Sequence, residues 1–101
     1  MKILIFGLGT LGGGFSAAKY FLDRQDEVRI TDLRSEAVLG TPLAILKSHE
    51  ATAIVQEHRK EDFIWADIVI KNPAVAANNP LLECAKRVET DITFLFSSAL
   101  L

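Results

Sequence analysis

The fold is indicated most clearly by one stretch near the start of the chain, Lys2-Ile3-Leu4-Ile5-Phe6-Gly7-Leu8-Gly9-Thr10-Leu11-Gly12. Its first half is a mostly apolar run of strand-forming residues that ends at a glycine, which predicts a strand buried on both faces of a sheet. Its second half is a literal G-x-G-x-x-G sequence, and apolar residues recur at helical spacing after it until about Arg24. A strand, a glycine-rich turn and a helix in this order predict the first unit of a nucleotide-binding α/β domain.

The three motif glycines have different expected tasks. Gly7 permits the tight turn, Gly9 lets a phosphate approach the backbone, and Gly12 lets the helix pack closely on the strand. Free N–H groups at the start of the helix then face the ligand with the positive end of the helix dipole. The alternative is a glycine-rich turn that serves close packing alone, and the strand-loop-helix context favours the phosphate site.

The rest of the chain repeats the alternation of strands and helices. We expect strands over 27–31, 51–56, 67–71 and 88–90, helices over 41–48 and 79–87, and one helical turn within 57–65. The two helix starts are predicted from Thr41-Pro42 and Asn79-Pro80, each a capping residue followed by proline. The predicted fold is therefore α/β, a Rossmann-like doubly wound parallel sheet of about five strands in the order 3-2-1-4-5.

A few polar residues outside the glycine turn are candidates for a site. Asp32 ends the second strand, where an acid hydrogen-bonds the adenosine ribose in dinucleotide domains, although a turn or capping aspartate is the alternative. Lys71 ends the fourth predicted strand and could meet a phosphate or be a solvated lysine. His49 and His58 have no partner at metal-ligand or catalytic spacing, and we expect both on the surface.

Composition excludes several classes of protein. The chain has 101 residues, 50% of them hydrophobic and 24% charged, which predicts one small globular domain. Its net charge of −2 and its lack of long basic runs argue against nucleic acid as a partner. The apolar runs are far shorter than the ~20 residues of a membrane span. Together with the absence of a zinc-spaced cluster and of a P-loop, this predicts a cytoplasmic domain with no metal site.

Several segments together resemble the ATP-dependent Mur ligases of peptidoglycan synthesis. Four blocks carry the resemblance: Ile5-Phe6-Gly7-Leu8-Gly9, Thr31-Asp32-Leu33-Arg34, Ala66-Asp67-Ile68-Val69-Ile70-Lys71-Asn72-Pro73-Ala74-Val75 and Glu89-Thr90-Asp91-Ile92. The third block is the most specific, because NAD binding in a dehydrogenase does not require such a segment before a proline-capped helix. The resemblance covers nearly the whole chain, but only the N-terminal domain of such a ligase.

The resemblance implies a Rossmann-like domain that binds UDP rather than NAD. The implied UDP-binding residues come from the glycine turn, the end of the second strand and the loop after the fourth strand: Gly7, Gly9, Thr10, Leu11, Gly12, Asp32, Leu33, Arg34, Asn72, Pro73 and Ala74. In this family the amides of Thr10 and Leu11 would contact the diphosphate, and the other two segments would surround the uracil. Ala74 stands where the family usually has glycine.

The resemblance also implies a reaction that this chain cannot complete alone. The blocks are most similar to ligases that add D-glutamate to UDP-N-acetylmuramoyl-L-alanine, using ATP to convert the alanine carboxylate into an acyl phosphate. In the family, ATP and magnesium bind in a central and a C-terminal domain. We therefore expect residues 1–91 to be the UDP-sugar-binding domain, without catalytic residues, and 92–101 to begin the connection to the ATP-binding domain.

Two alternatives from other classes stay open at this point. The first is the NAD(P)-binding domain of an oxidoreductase or nucleotide-sugar epimerase, which predicts a Tyr-x-x-x-Lys pair or a second mononucleotide half, and neither occurs in the sequence. The second is a non-catalytic nucleotide-sensing module, such as the regulatory domain of a potassium transporter. That alternative explains the short length but leaves the Asn72-Pro73-Ala74-Val75 segment unexplained.

Overall fold

A five-stranded parallel sheet forms the centre of the computed structural model, which describes residues 1–9 and 13–90. The strands are β1 (Lys2–Phe6), β2 (Glu27–Asp32), β3 (Thr52–Val55), β4 (Ile68–Lys71) and β5 (Val88–Thr90). Their order is β3-β2-β1-β4-β5, and every neighbouring pair is parallel. The predicted α/β class and the predicted strand order are confirmed.

Helices cover both faces of the sheet. They are α1 (Gly13–Asp23), α2 (Glu36–Ser48), α3 (Lys60–Trp65) and a short 3-10 helix (Pro80–Cys84). Ile3 and Ile5 of β1 pack in a core with α1 and α2, whereas Leu4 and Phe6 pack in a second core with α3 and the 3-10 helix. Successive strand residues point to opposite faces, so β1 is buried on both sides, as its sequence predicts.

Helix α2 begins earlier than the sequence predicts. Its first turn is capped by Ser35, whose Oγ accepts a hydrogen bond from the Val38 amide at 3.3 Å. A break at Gly40, with φ 63° and ψ −144°, separates this turn from the segment that contains Pro42. Because glycine adopts a positive φ without steric cost, the chain can start a second helical segment there. The predicted start at Thr41 describes only this second segment.

The predicted helix over 79–87 is wrong in type and length. Asn79 caps it as predicted, since its Oδ1 accepts from the Leu81 amide at 3.0 Å, but the helix is 3-10 and ends at Cys84. Arg87 is already extended along β4, with its carbonyl accepting from the Val69 amide at 2.8 Å. The hydrogen bond of Arg87 to β4 ends the helical segment before the predicted boundary. The boundary at 91 and the segment 92–101 lie outside the described residues.

Candidate functional site

A cavity of about 340 Å³ opens at the carboxyl ends of β1, β2 and β4. The chain leaves β1 toward β2 on one side and reaches β4 on the other, so β1 and β4 flank the point at which the strand order reverses. Open parallel sheets bind ligands in the crevice at such a point. The cavity is lined by Phe6, Gly7, Gly9, Asp32, Leu33, Arg34, His58, Asn72, Ala74 and Val75.

Most of the predicted site residues meet at this cavity. Those that line it are Gly7, Gly9, Asp32, Leu33, Arg34, Asn72 and Ala74. Pro73 lies in the same loop but is not among the lining residues. Thr10, Leu11 and Gly12 are outside the described residues, so their contacts with a diphosphate stay predictions.

The glycine turn requires glycine at two positions for different reasons. Gly7 has a φ of 86°, and its amide donates to the Thr31 carbonyl at 2.9 Å, which fixes the tight turn after β1. Gly9 has a φ of 79°, and a Cβ there would overlap the side-chain amide of Asn72. Gly9 therefore makes room for the loop after β4. Its role beside a phosphate stays a prediction.

Gly14, which lies beyond the hexapeptide motif, lets α1 pack closely on the glycine turn. A Cβ on Gly14 would overlap the carbonyl of Leu8 and lie 2.9 Å from the Gly7 carbonyl oxygen. Gly14 is also buried, so neither the turn nor the helix has room to move aside. The signal in the sequence was the run Gly12-Gly13-Gly14, which extends beyond the hexapeptide.

Asp32 connects the glycine turn to the end of β2 by hydrogen bonds. Its Oδ2 accepts from the Leu8 amide at 3.0 Å and from Arg34 Nη2 at 2.8 Å. Its Oδ1 accepts from the Arg34 amide at 2.9 Å and from Arg34 Nε at 3.0 Å. The carboxylate is 5% exposed and each of its oxygens already accepts two hydrogen bonds, which is the usual capacity of a carboxylate.

The same hydrogen bonds keep Asp32 ionised. Burial alone would raise the pKa of the carboxyl, but hydrogen bonds from the Arg34 side chain, the Arg34 amide and the Leu8 amide outweigh it and lower the pKa to about 2. Asp32 is therefore a fixed negative charge whose acceptors are used within the protein. An NAD site needs such an acid to accept from ribose hydroxyls, and here those positions are taken.

Lys71 holds the loop after β4, so the alternative of a solvated lysine is wrong, while its contact with a phosphate stays a prediction. The side chain is 9% exposed, so it is not solvated. Its Nζ donates to the Val75 carbonyl at 2.7 Å and to the Asn72 carbonyl at 3.3 Å. Within the loop, Asn72 Oδ1 accepts from the Ala74 amide at 2.8 Å. These bonds give the loop a defined shape that presents Asn72 and Ala74 to the cavity.

His58 is a cavity residue that sequence reasoning missed. We expected it on the surface, but it is half-buried, lines the cavity and packs edge-to-face on Phe6 with ring centroids 4.8 Å apart. Its Nδ1 lies 2.7 Å from Thr31 Oγ1. The available signal was position, because His58 follows the carboxyl end of β3 closely, on the edge where sites of parallel sheets form. His49 is exposed, as expected.

The described ranges are 1–9 and 13–90. Within them, no group of three or more His, Cys, Asp or Glu side chains is placed to hold a metal ion. None of the helices there combines the length and the apolar character that crossing a membrane requires.

The chain matches a family model described as the N-terminal domain of MurD-like Mur ligases over residues 1–94. Similar curated proteins are named UDP-N-acetylmuramoylalanine–D-glutamate ligase. The protein from Borreliella burgdorferi strain ZS7 is 42% identical over 95 residues, covering 92% of this chain and 21% of the relative. Those from Treponema pallidum and Roseiflexus sp. are 39% and 34% identical, covering 90% and 94% of this chain and 18% and 21% of their own length. The chain thus spans about a fifth of these relatives' length.

A solved structure supports the fold independently of sequence. SirC, a precorrin-2 dehydrogenase, superposes with a TM-score of 0.63 at 16% sequence identity, covering 88% of this chain and 43% of SirC. At this identity the similarity shows a shared Rossmann-like fold and nothing about the ligand.

Proposed function

The chain belongs to the family of MurD-like Mur ligase N-terminal domains, and on this basis we propose that it binds the UDP part of UDP-N-acetylmuramoyl-L-alanine. The ligase of which it would form part adds D-glutamate to that substrate in peptidoglycan synthesis. The observation that carries the proposal is the cavity in which the glycine turn, the end of β2 and the loop after β4 meet.

The chemistry of the cavity favours UDP over NAD. Asp32 already accepts four hydrogen bonds from Leu8 and Arg34, so it would have to give some of them up to bind a ribose. Leu33, by contrast, leaves 63% of its surface exposed at the cavity, where it offers an apolar wall to a flat base. Asn72 and Ala74 face it from the loop after β4, so a pyrimidine would fit between the two segments.

The glycine turn would hold the diphosphate. In the proposed complex the amides of Thr10 and Leu11 donate to the phosphate oxygens, and the first turn of α1 adds the positive end of its dipole. Arg34 lies at the same cavity, where its guanidinium forms an ion pair with Asp32 and so offsets the negative charge of that carboxylate near the anionic ligand. UDP is thus held at both ends, by the base pocket and by the turn.

Such a domain contributes to the reaction by positioning rather than by bond making. We propose that ATP and magnesium act in further domains of the cytoplasmic ligase, where the alanine carboxylate becomes an acyl phosphate that D-glutamate attacks. The UDP end of the substrate is remote from that carboxylate. Binding energy gained from remote groups holds the reacting group in place and so lowers the barrier. We expect no ligase activity from the 101-residue chain alone.

Calorimetric titration of the purified chain tests the proposal. We expect saturable binding of UDP and of UDP-N-acetylmuramoyl-L-alanine, and little or none of NAD at equal concentration. Ligand at ~100 times its dissociation constant should add about 2.7 kcal/mol to the free energy of unfolding, which a thermal melt will show. Binding of NAD without binding of UDP would contradict the proposal and favour the oxidoreductase alternative.

A further inference from the structure

We propose that His58 reads the base of the nucleotide: its Nε2 accepts a hydrogen bond from the N3–H of uracil and thereby selects uracil over cytosine. The inference rests on the proposed function, because it assumes that a pyrimidine nucleotide occupies the cavity. It adds a specificity-determining residue to that site.

The position of His58 makes contact with a base possible. The ring lies on the cavity wall and is held from two sides, by the edge-to-face contact with Phe6 and by the contact between Nδ1 and Thr31 Oγ1. A ring fixed at both points cannot swing away when a ligand enters. The cavity is shared with Leu33 and Ala74, the residues between which the base is proposed to lie.

The hydrogen bonds of Thr31 determine which nitrogen of His58 carries the proton. Thr31 Oγ1 lies 3.2 Å from the Glu57 carbonyl and 2.7 Å from His58 Nδ1. A hydroxyl has one hydrogen, and a carbonyl can only accept. Both contacts are hydrogen bonds only when Thr31 donates to Glu57 and Nδ1–H donates to Thr31. The lone pair of the neutral ring is then on Nε2, which acts as an acceptor.

Nε2 is an acceptor that the cavity leaves open. In the described part of the chain, Asp32 accepts four hydrogen bonds and Asn72 Oδ1 accepts one, whereas Nε2 has no protein partner. Burial lowers the pKa of His58 and the charge of Asp32 opposes this only in part, so the ring is neutral at pH 7.5. A neutral acceptor on the wall of this cavity can accept a hydrogen bond from a donor of the ligand.

Uracil and cytosine differ at the atom that such an acceptor would meet. N3 of uracil carries a hydrogen and donates, whereas N3 of cytosine carries a lone pair and accepts. Opposite Nε2, the N3–H of uracil forms a hydrogen bond, whereas the N3 lone pair of cytosine faces the lone pair of Nε2. A site that hydrogen-bonds one ligand group discriminates strongly against an analogue that lacks it.

The test measures dissociation constants for UDP and CDP with the wild-type chain and three variants at pH 7.5. His58→Phe keeps a ring against Phe6 and removes Nε2, so UDP should bind about 3–10-fold more weakly and CDP no more weakly. His58→Gln places an oxygen near the position of Nε2 and should keep most of the preference for UDP. His49→Phe changes the exposed histidine at the end of α2 and should leave both constants unchanged.

The outcomes separate the inference from the proposed function. Equal affinity of the wild type for UDP and CDP, or an equal loss of both in His58→Phe, overturns the role of His58 and leaves UDP binding standing. Failure of the wild type to bind either nucleotide overturns the proposed function itself. If His58→Phe does not fold, N3-methyl-UDP replaces it: at least tenfold weaker binding to the wild type supports the inference, and binding equal to UDP overturns it.

Discussion

Two buried aspartates, Asp32 at the end of β2 and Asp62 in α3, both accept hydrogen bonds from arginine side chains. Asp62 is fully buried, and its Oδ1 accepts from Arg29 Nη1 at 2.9 Å and from Arg59 Nη2 at 2.8 Å. Its Oδ2 accepts from Arg59 Nε at 2.9 Å. In both aspartates, burial would raise the pKa, and the arginine hydrogen bonds outweigh it and lower it.

The partners of the two carboxylates show what each one holds. Asp62 joins α3 to Arg29 of β2, whose guanidinium also lies 3.9 Å over the ring of Trp65, and it does not line the cavity at the glycine turn. Asp32 accepts from the backbone amide of Leu8 and does line that cavity. A lowered carboxyl pKa therefore marks a structural ion pair in one case and a candidate site in the other. The two cases differ in position, because only Asp32 lies at the carboxyl edge of the sheet.

Removal of the Asp62 carboxylate should have the largest effect on stability. Asp62→Ala leaves two partly exposed arginines without their partner, and we expect a loss of about 3 kcal/mol in the free energy of unfolding, measured by urea denaturation. UDP affinity should stay within twofold at a temperature where the variant is folded. Glu61→Ala, on the exposed side of the same turn, is the control and should cost under about 0.5 kcal/mol. A loss of UDP affinity in Asp62→Ala would show that the role of Asp62 is not structural alone.

Asp32→Asn should affect binding more than stability. The substitution keeps the shape of the side chain but presents an N–H to donors from Leu8 or Arg34, so we expect a loss of about 2 kcal/mol in the free energy of unfolding. Since the glycine turn and Arg34 both depend on this carboxylate, UDP should bind at least tenfold more weakly in calorimetry. Asp23→Asn changes an exposed aspartate of α1 and serves as the control. Unchanged UDP affinity in Asp32→Asn would show that the hydrogen bonds of Asp32 are structural, like those of Asp62.

Acid should weaken the hydrogen bonds of both aspartates. Its effect on the free energy of unfolding should be smaller than that of either substitution. Each carboxyl has a lower pKa in the folded chain than in the unfolded chain, so the unfolded chain binds more protons as the pH falls. Stability from Asp32 is complete above about pH 5 and is lost as the pH falls toward 2. Between pH 5 and pH 3 this loss should be about 1 kcal/mol, and urea denaturation of Asp32→Asn should lack it. An identical pH dependence in wild type and Asp32→Asn would contradict the low pKa.

The sequence predicts the backbone of the site better than its side-chain contacts. The run from Lys2 to Gly9 predicts β1 and the turn, because apolar strands and glycines act locally. The position of Asp32 after β2 predicts a residue at the same edge, because carboxyl ends of parallel strands meet there. Helix ends are predicted less well. Pro42 predicts a helix start at Thr41, although α2 begins one turn earlier. The last helix is shorter than predicted because β5 pairs with β4.

The missed features depend on contacts that form only in the folded chain. His58 reaches the cavity through Thr31, which is 27 residues away in sequence, and nothing near His58 in the sequence indicates this partner. Lys71 turns back on the Asn72 and Val75 carbonyls, a contact that exists only once the loop has folded. Gly14 is required by the backbone of Leu8, on the other side of the glycine turn. Residue type alone carries none of this information.

The most direct test of the account is a titration of the ¹⁵N-labelled chain with UDP, followed by amide chemical shifts. We expect UDP to shift the amides of Leu8, Arg34 and Ala74 at the cavity and to leave those of Arg29 and Asp62 unchanged. NAD at equal concentration should shift neither group. Shifts around Asp62 without shifts at Leu8 and Arg34, or the cavity pattern with NAD and none with UDP, would contradict it.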